Sequence, residues 1–487
     1  MSRDSNTTRH HVLWLRQDLR VADNTALHAA CRDPEAAVTA LYAVTPAQWQ
    51  AHDVAGVRID LELRQLRLLQ ADLAALAIPL VIIEAADYQA LVPVLADWLR
   101  RHGVAELHGN RQYEVNEQSR DAALEAALGS DVRCCWHHDQ CIIAPGRVLT
   151  ADHRPYTVFT PFKRNWLAQL MTAPPPMLPI PARRRQQCAT STPVPAAVAG
   201  LASHVAPALA GQLWPAGEDA AHDRLHAFIS DAGAHYDSQR DLPACNGTST
   251  LSPYLAAGML SPRQCLHAAW QQQAHGAGNG MATWISELCW RDFYKHILVH
   301  FPHVCRHQAF KRETDAIAWR HDEALFQAWC QGRTGFPIVD AAMRQLLATG
   351  WMHNRLRMIT AMFLSKDLFI DWRWGERHFM RHLVDGDFAA NNGGWQWSAS
   401  TGNDAAPYFR IFNPLLQSRK FDPEGSFIRR FVPELAGLDG PDIHAPHAHG
   451  PSLLAADYPL PVIDHGRARD HAVAQFKALA TATARTT

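Results

Sequence analysis

The first third of the chain alternates short aliphatic, β-branched runs with stretches of helical spacing. HVLWL (11–15), AVTALYAV (37–44), PLVIIEA (79–85), VAELHG (104–109) and VRCCW (132–136) read as strands. Between them, DNTALHAAC, RIDLELRQLRLLQADLAAL, DYQALVPVLADWLRRH and NEQSRDAALEAAL place apolar residues three and four apart, the helical period. Asp23 and Asn116 stand where N-caps are expected. This alternation predicts a doubly wound parallel α/β domain over residues 10–136, with ligands at the carboxyl ends of its strands. RQDLRVADN, rather than a G-x-G-x-x-G turn, follows the first strand. That argues against a dinucleotide held there in the Rossmann manner.

Residues 137–217 read as an interdomain linker, Pro- and Ala-rich from 171 and partly extended. Arg183, Arg184 and Arg185 within it read as a solvated charge run. From 218 to 465 the strand pattern gives way to helical spacing, which predicts a second, all-helical domain of about 250 residues, near the limit for one core. Gly335, Pro337, Gly350 and Gly375 stand where helices are expected to start or stop.

Composition adds little to this division. The 487 residues are 47% hydrophobic and 19% charged, with net charge −1, so total charge speaks neither for nor against nucleic acid. Ten Cys without a C-x-x-C read as reduced thiols, and a polar start, MSRDSNTTRH, without an apolar segment adds the expectation of a cytoplasmic protein. No apolar run reaches the length of a membrane span. CCWHHDQC (134–141) crowds metal-binding side chains. Its spacing matches no zinc pattern, and neighbouring Cys on a strand face opposite ways, so no metal site is expected. The 16 Trp are numerous and invite a stacking or electron-transfer role.

Four stretches carry candidate chemistry. DGDFAANNGGWQWSAS (385–400) sets Asp385, Asp387 and an Asn pair beside a Gly pair, Trp395 and Trp397. Directed hydrogen bonds next to flat rings suit a planar heterocycle, and a tight helix connection is the simpler alternative. GTSTLS (247–252) opens a helix with hydroxyls, which suits phosphate or a plain cap. WISELCWRDFYKH (284–296) puts Trp284, Glu287, Arg291 and Tyr294 on one helical face, with Trp290 within reach. WMHNRLRMI (351–359) stacks His353, Asn354, Arg355 and Arg357 into a polar patch, where Arg357 can pair with Asp385 or Asp387.

Together with YEVNEQSRD, YTVFTPFKRNW and GRTGFPIVDAAMRQL, these motifs recur in one order from about Val12 to Ile463. The chain resembles the DNA photolyase/cryptochrome family, and within it the bacterial class I cyclobutane pyrimidine dimer photolyases with a folate antenna.

The resemblance implies an α/β domain followed by a helical domain holding FAD in its FADH− form. Tyr236, Thr248, Ser249, Thr250, Leu251 and Ser252 would line the phosphates. Trp284, Arg291, Asn354, Arg357, Asp385, Gly386 and Asp387 would surround the rest of the cofactor, with Asn391 facing flavin N5. The implied reaction is light-driven splitting of a pyrimidine dimer in DNA by electron transfer to the dimer, flipped out of the helix. Glu287 would hydrogen-bond the dimer, Trp290 and Trp397 would pack against it, and Met358 and Asn354 would lie beside it. Arg240, Arg355, Arg410 and Lys420 would contact phosphate. Trp395, Trp372 and Trp319 would carry electrons from flavin to surface. Asn116, Glu117, Cys305 and Arg306 would hold 5,10-methenyltetrahydrofolate, with Arg306 standing where a relative can carry Lys. Thr250 likewise stands where relatives can carry Arg. The implied partner is dimer-containing DNA, bound by a monomer.

Asn354 and Met358 stand where (6-4) photolyases need a His, which disfavours that branch. A cryptochrome-type blue-light photoreceptor is the alternative. A short tail and Asn391 weigh against it. Nothing points to the nicotinamide site of a flavin oxidoreductase.

Overall fold

A computed structural model describes residues 9–274, 276, 278–448 and 455–484. The polar start, residues 1–8, lies outside them. The five expected strands form: β1 (His10–Leu15), β2 (Ala37–Val44), β3 (Leu80–Glu84), β4 (Val104–Asn110) and β5 (Arg133–His137). They pair in parallel in the order β3-β2-β1-β4-β5. Leu13 and Leu15 face one core and Val12 and Trp14 the other. Burial on both faces is why these strands read as continuous apolar runs. The crossovers carry α1 (Thr25–Ala30), α2 (Pro46–Ala51), α3 (Gly56–Ala75), α4 (Tyr88–Arg101) and α5 (Val115–Leu128).

Both expected N-caps are displaced. Asn24, not Asp23, caps α1, accepting from the Leu27 amide. Glu114 precedes α5, and Asn116 lies inside its first turn. Asp23 has other work. It sits at φ +50°, and its carboxylate takes the Arg263 Nε at 2.9 Å and the Ser261 hydroxyl. Arg20 and Arg263 both pair with buried Asp139, at 2.6 and 2.8 Å. The loop where a Gly-rich turn was excluded therefore latches the sheet to the helical part. Gly258 lets backbones meet there: at φ +75°, any side chain on it would strike the Gln17 carbonyl.

Residues 137–217 are more structured than a linker. They include α6 (Phe159–Thr172) and α7 (Pro207–Leu213). Phe159, Phe162, Trp166 and Leu170 of α6 join a helical core with Phe293 and Leu288. Arg184 is buried, not solvated. Its guanidinium gathers the Ala36, Cys31 and Asp33 carbonyls below the sheet.

The remainder is helical, as expected. It comprises α8 (Glu218–Ala227), α9 (Tyr236–Gln239), α10 (Ser252–Ala257), α11 (Pro262–Ala274), α12 (Gly278–His300), α13 (Glu323–Cys330), α14 (Pro337–Thr349) and α15 (Asn354–Met362). Then follow α16 (Trp372–His382), α17 (Phe388–Ala399), α18 (Pro414–Phe421), α19 (Ser426–Phe431) and α20 (His465–Ala484). Pro337 starts α14 and Gly350 ends it in the left-handed region. Gly375 stops nothing. It lies inside α16, where Trp395 of α17 packs on its backbone. No helix among the described residues is long and apolar enough to cross a membrane, and the ten Cys form no disulfide.

Candidate functional site

The sequence stretches that carried candidate chemistry close into a circuit of polar bridges. Within 385–400, Phe388–Ala399 form helix α17, with Asp387 as its N-cap, accepting from the Ala390 amide. Asp387 also pairs with buried Lys295 of α12 at 2.8 Å. Burial alone would raise the Asp387 carboxyl, but Lys295 and Arg291 outweigh it and hold its pKa well below the carboxylate range. Arg357 of α15 chooses Asp385, gripping both oxygens at 2.7 and 3.0 Å. Its Nε donates to the Met352 carbonyl. Trp351 reaches Ser252 at 3.3 Å, which joins the 247–252 loop to the start of α15. Arg291 of α12 donates to the Leu255 carbonyl of α10 and to Gln140 of the loop after β5. Arg355 is bidentate on Asp241, at 2.8 and 3.2 Å, and covers the Phe421 ring. Arg240 pairs with Glu287.

Inside this circuit the backbone is pressed close at one point and open at another. A side chain on Gly393 would strike the Tyr294 ring, whereas one on Gly394 would meet nothing within 4 Å. Thr250 holds φ +48°, uncommon for a β-branched residue and a mark of a functional turn. Its hydroxyl accepts from Arg224 of α8 at 2.8 Å. Thr248, Ser249 and Thr250 are half-buried, Leu251 is buried and Ser252 exposed. Tyr236 and Trp284 pack edgewise and tilted on Phe228. Buried Asn391 donates to the Glu376 carbonyl at 3.0 Å. Gly386 is buried, its carbonyl taken by Arg58 of α3. Hydroxyls on a strained turn, several half-buried guanidiniums and an open space beside Gly394 form a donor set that fits a large anionic dinucleotide such as FAD.

At the rim, half-buried Trp290 stacks on Phe159, with centroids 3.6 Å apart and planes 8° from parallel. Trp397 tilts against Phe412 at 6.5 Å. Burial raises the Glu287 carboxyl against the pull of Arg240. Met358 is half-buried and Asn354, Arg410 and Lys420 are exposed. Arg355, expected on phosphate, is committed to Asp241.

Trp395 and Trp372 are buried, and Trp319, expected at the surface, is only 8% exposed beneath Phe476 of α20. None of their three indole N–H groups has an acceptor among the described residues. Trp329, which the sequence left without a role, lies 6.0 Å from Trp395.

The antenna candidates meet where the domains join. The Cys305 thiol reaches the Val115 backbone and the acidic start of α5. Asn116 bonds His52 at 3.1 Å, and Glu117 accepts from Tyr88 at 2.9 Å. Arg306 is exposed. Glu117 also lines a cleft of about 100 Å³ with Arg16, Tyr42, His52, Tyr88 and Arg120, at the carboxyl ends of β1, β2 and β4. Lys295 and Phe159 are site residues that the motifs contained without marking, and Arg224 and His52 lie outside every motif. Only their partners, far away in sequence, give them meaning.

Known proteins match this arrangement along its length. A model of the DNA photolyase family matches residues 11–182, and one of the FAD binding domain of DNA photolyase matches residues 284–478. The deoxyribodipyrimidine photo-lyase of Salmonella typhimurium is 50% identical over 472 residues, 96% of this chain and 98% of that protein. A solved bacterial class III photolyase from Agrobacterium tumefaciens superposes with TM-score 0.86 at 36% identity, covering 99% of this chain and 100% of its own. A Synechocystis cryptochrome superposes with TM-score 0.82 at 26% identity, covering 96% and 99%, so the fold is common to both kinds of protein. With half its residues identical to a photo-lyase over nearly its whole length, the chain belongs to the DNA photolyase family.

Proposed function

We propose that this chain is a deoxyribodipyrimidine photo-lyase, repairing cyclobutane pyrimidine dimers in DNA under light. The observation that carries this reading is the rim. A half-buried carboxyl, Glu287, stands on the same helix as Trp290, whose ring lies flat on Phe159, directly outside the polar circuit.

FAD, reduced and anionic, would supply the light-excited electron. The chain's own residues bind and orient. Thr248, Ser249, Thr250 and Ser252 would hold the diphosphate, with Arg224, bound to the Thr250 hydroxyl, bringing the guanidinium that position 250 lacks. Arg357 and Arg291 balance negative charge, and Asp385 and Lys295–Asp387 fix their neighbours. Asn391 keeps its amide nitrogen on Glu376, which leaves its oxygen as the acceptor that would face the flavin. Trp290 and Trp397 close on the flat faces of the dimer. Glu287 hydrogen-bonds the carbonyl and N–H edge of the dimer when Arg240 leaves it for a DNA phosphate. Arg410 and Lys420 add phosphate contacts. Trp395, Trp372 and Trp319 would relay electrons inwards from a reductant in solution, the route by which bound FAD is kept reduced. Asn116, Glu117, Cys305 and Arg306 hold a folate antenna at the domain junction. The protein works in the cytoplasm as a monomer.

The test is direct: purified, photoreduced protein with an oligonucleotide containing one cyclobutane dimer, under near-UV light. Loss of dimer in the light and not in the dark is expected. Unchanged dimer, with reduced flavin verified by absorption, would favour the photoreceptor alternative.

A further inference from the structure

On the sheet face covered by α1, three side chains converge far from the flavin circuit. His11 of β1 is in register with Glu106 of β4, and His108 follows two residues on, facing the same way. One ring nitrogen of His11, a Glu106 carboxylate oxygen and one ring nitrogen of His108 lie within 4.8 Å of one another. Glu106 Oε2 is 3.0 Å from His108 Nε2 and 4.0 Å from His11 Nε2. Both imidazoles are buried, while Glu106 is partly exposed and opens the spot to solvent.

The other nitrogen of each ring is already spoken for. His11 Nδ1 lies 2.9 Å from the Ala30 carbonyl, the last residue of α1, so it carries the proton and donates. Its Nε2 faces Glu106 Oε2 at 4.0 Å, while Arg133 pairs with the other carboxylate oxygen at 3.2 Å. His108 Nδ1 lies 3.1 Å from His137 Nε2, and the two rings stack 4° from parallel. Metal-binding histidines are typically oriented in this manner, by a carbonyl or another acceptor on the far nitrogen.

We propose that His11, Glu106 and His108 form a binding site for a divalent transition-metal ion of the zinc class, with water completing the coordination. Two imidazoles and one carboxylate suit zinc, and nitrogen donors disfavour calcium and magnesium. On binding, His108 carries its proton on Nδ1 and donates to His137 Nε2, whose own proton moves to its Nδ1, so this pair releases none. The bound ion ties β1 to β4 and, through Ala30, to α1. No motif announces the site, because its ligands come from positions 11, 106 and 108, and the neighbouring CCWHHDQC contributes only His137, from behind.

Zinc is titrated into the full-length protein against a chromophoric chelator. One equivalent is expected, with Glu106→Gln and His108→Gln each weakening it at least tenfold. His137→Phe should keep the stoichiometry and lose roughly 10- to 100-fold in affinity. Zinc should raise the unfolding temperature of the parent and not that of Glu106→Gln, a one-atom change at a partly exposed group. Absence of a stoichiometric zinc, or parental affinity in Glu106→Gln or His108→Gln, overturns the site.

Discussion

Gly375 and Trp395 touch so closely that a methyl group on the glycine would fall inside the indole. Helices α16 and α17 therefore approach at a point three residues from Trp372, the neighbouring member of the proposed electron chain. Gly375→Ala should displace Trp395, cost about 1–3 kcal/mol in stability and slow photoreduction of oxidised flavin. Bleaching of the flavin band under illumination and urea unfolding measure the two effects. A parental photoreduction rate would mean that Trp395 is not in the path.

The position also shows what the sequence could and could not disclose. A glycine near helical spacing reads as a stop, because its own conformational freedom is visible and its neighbour is not. Strands and helices were legible, since buried parallel strands leave apolar runs and amphipathic helices a period. The circuit was not. Arg357 had two candidate partners, Asp385 and Asp387, and spacing alone cannot choose. The choice depends on Lys295, which occupies Asp387 from another helix. Arg184 reads as one of three surface arginines until folding places three carbonyls around it. Asp23 reads as a cap because its local sequence suits one, whereas a ligand 240 positions away, Arg263, claims it.

Glu287 is expected to act through a hydrogen bond rather than through charge alone. Glu287→Ala should lower the repair quantum yield several-fold and leave flavin binding intact. Glu287→Gln keeps a donor at the same reach and should retain more of the yield than Ala. Equal yields for parent and Ala variant would remove Glu287 from the reaction. Photons absorbed per dimer repaired, measured with fully reduced flavin, distinguishes these outcomes.

Stability should fall as pH drops from about 6.5 to 4. His296 and His353 are both buried, and desolvation lowers each to about 4. Unfolding returns them to roughly 6.5, so in this window the unfolded chain binds protons that the folded chain refuses. Their contribution is complete above about 6.5 and is lost towards 4, by up to about 3 kcal/mol each. His353 caps α15 by accepting from the Arg355 amide. His353→Asn keeps a good cap and removes the titration. Its urea midpoint should therefore change less between pH 7 and pH 5 than the parent's. An equal change would assign the acid sensitivity elsewhere.

Arg224 gives the last prediction, because it stands where the family resemblance weakens. Thr250 lacks the guanidinium that relatives can carry at that position, yet Arg224 delivers one to the Thr250 hydroxyl from α8, with its plane near the Trp214 and Tyr254 rings. If that guanidinium serves the FAD diphosphate, Arg224→Met should weaken FAD retention while preserving the stacked hydrocarbon. Loss of one charge-assisted hydrogen bond corresponds to about 1.5–3 kcal/mol, or roughly 10- to 150-fold in dissociation constant. The double variant Arg224→Met, Thr250→Arg should recover most of that loss, since it restores the charge from the other side of the contact. Measuring FAD release by fluorescence on dilution tests both. Unchanged retention in Arg224→Met would show that the contact with Thr250 shapes the turn and does not reach the cofactor.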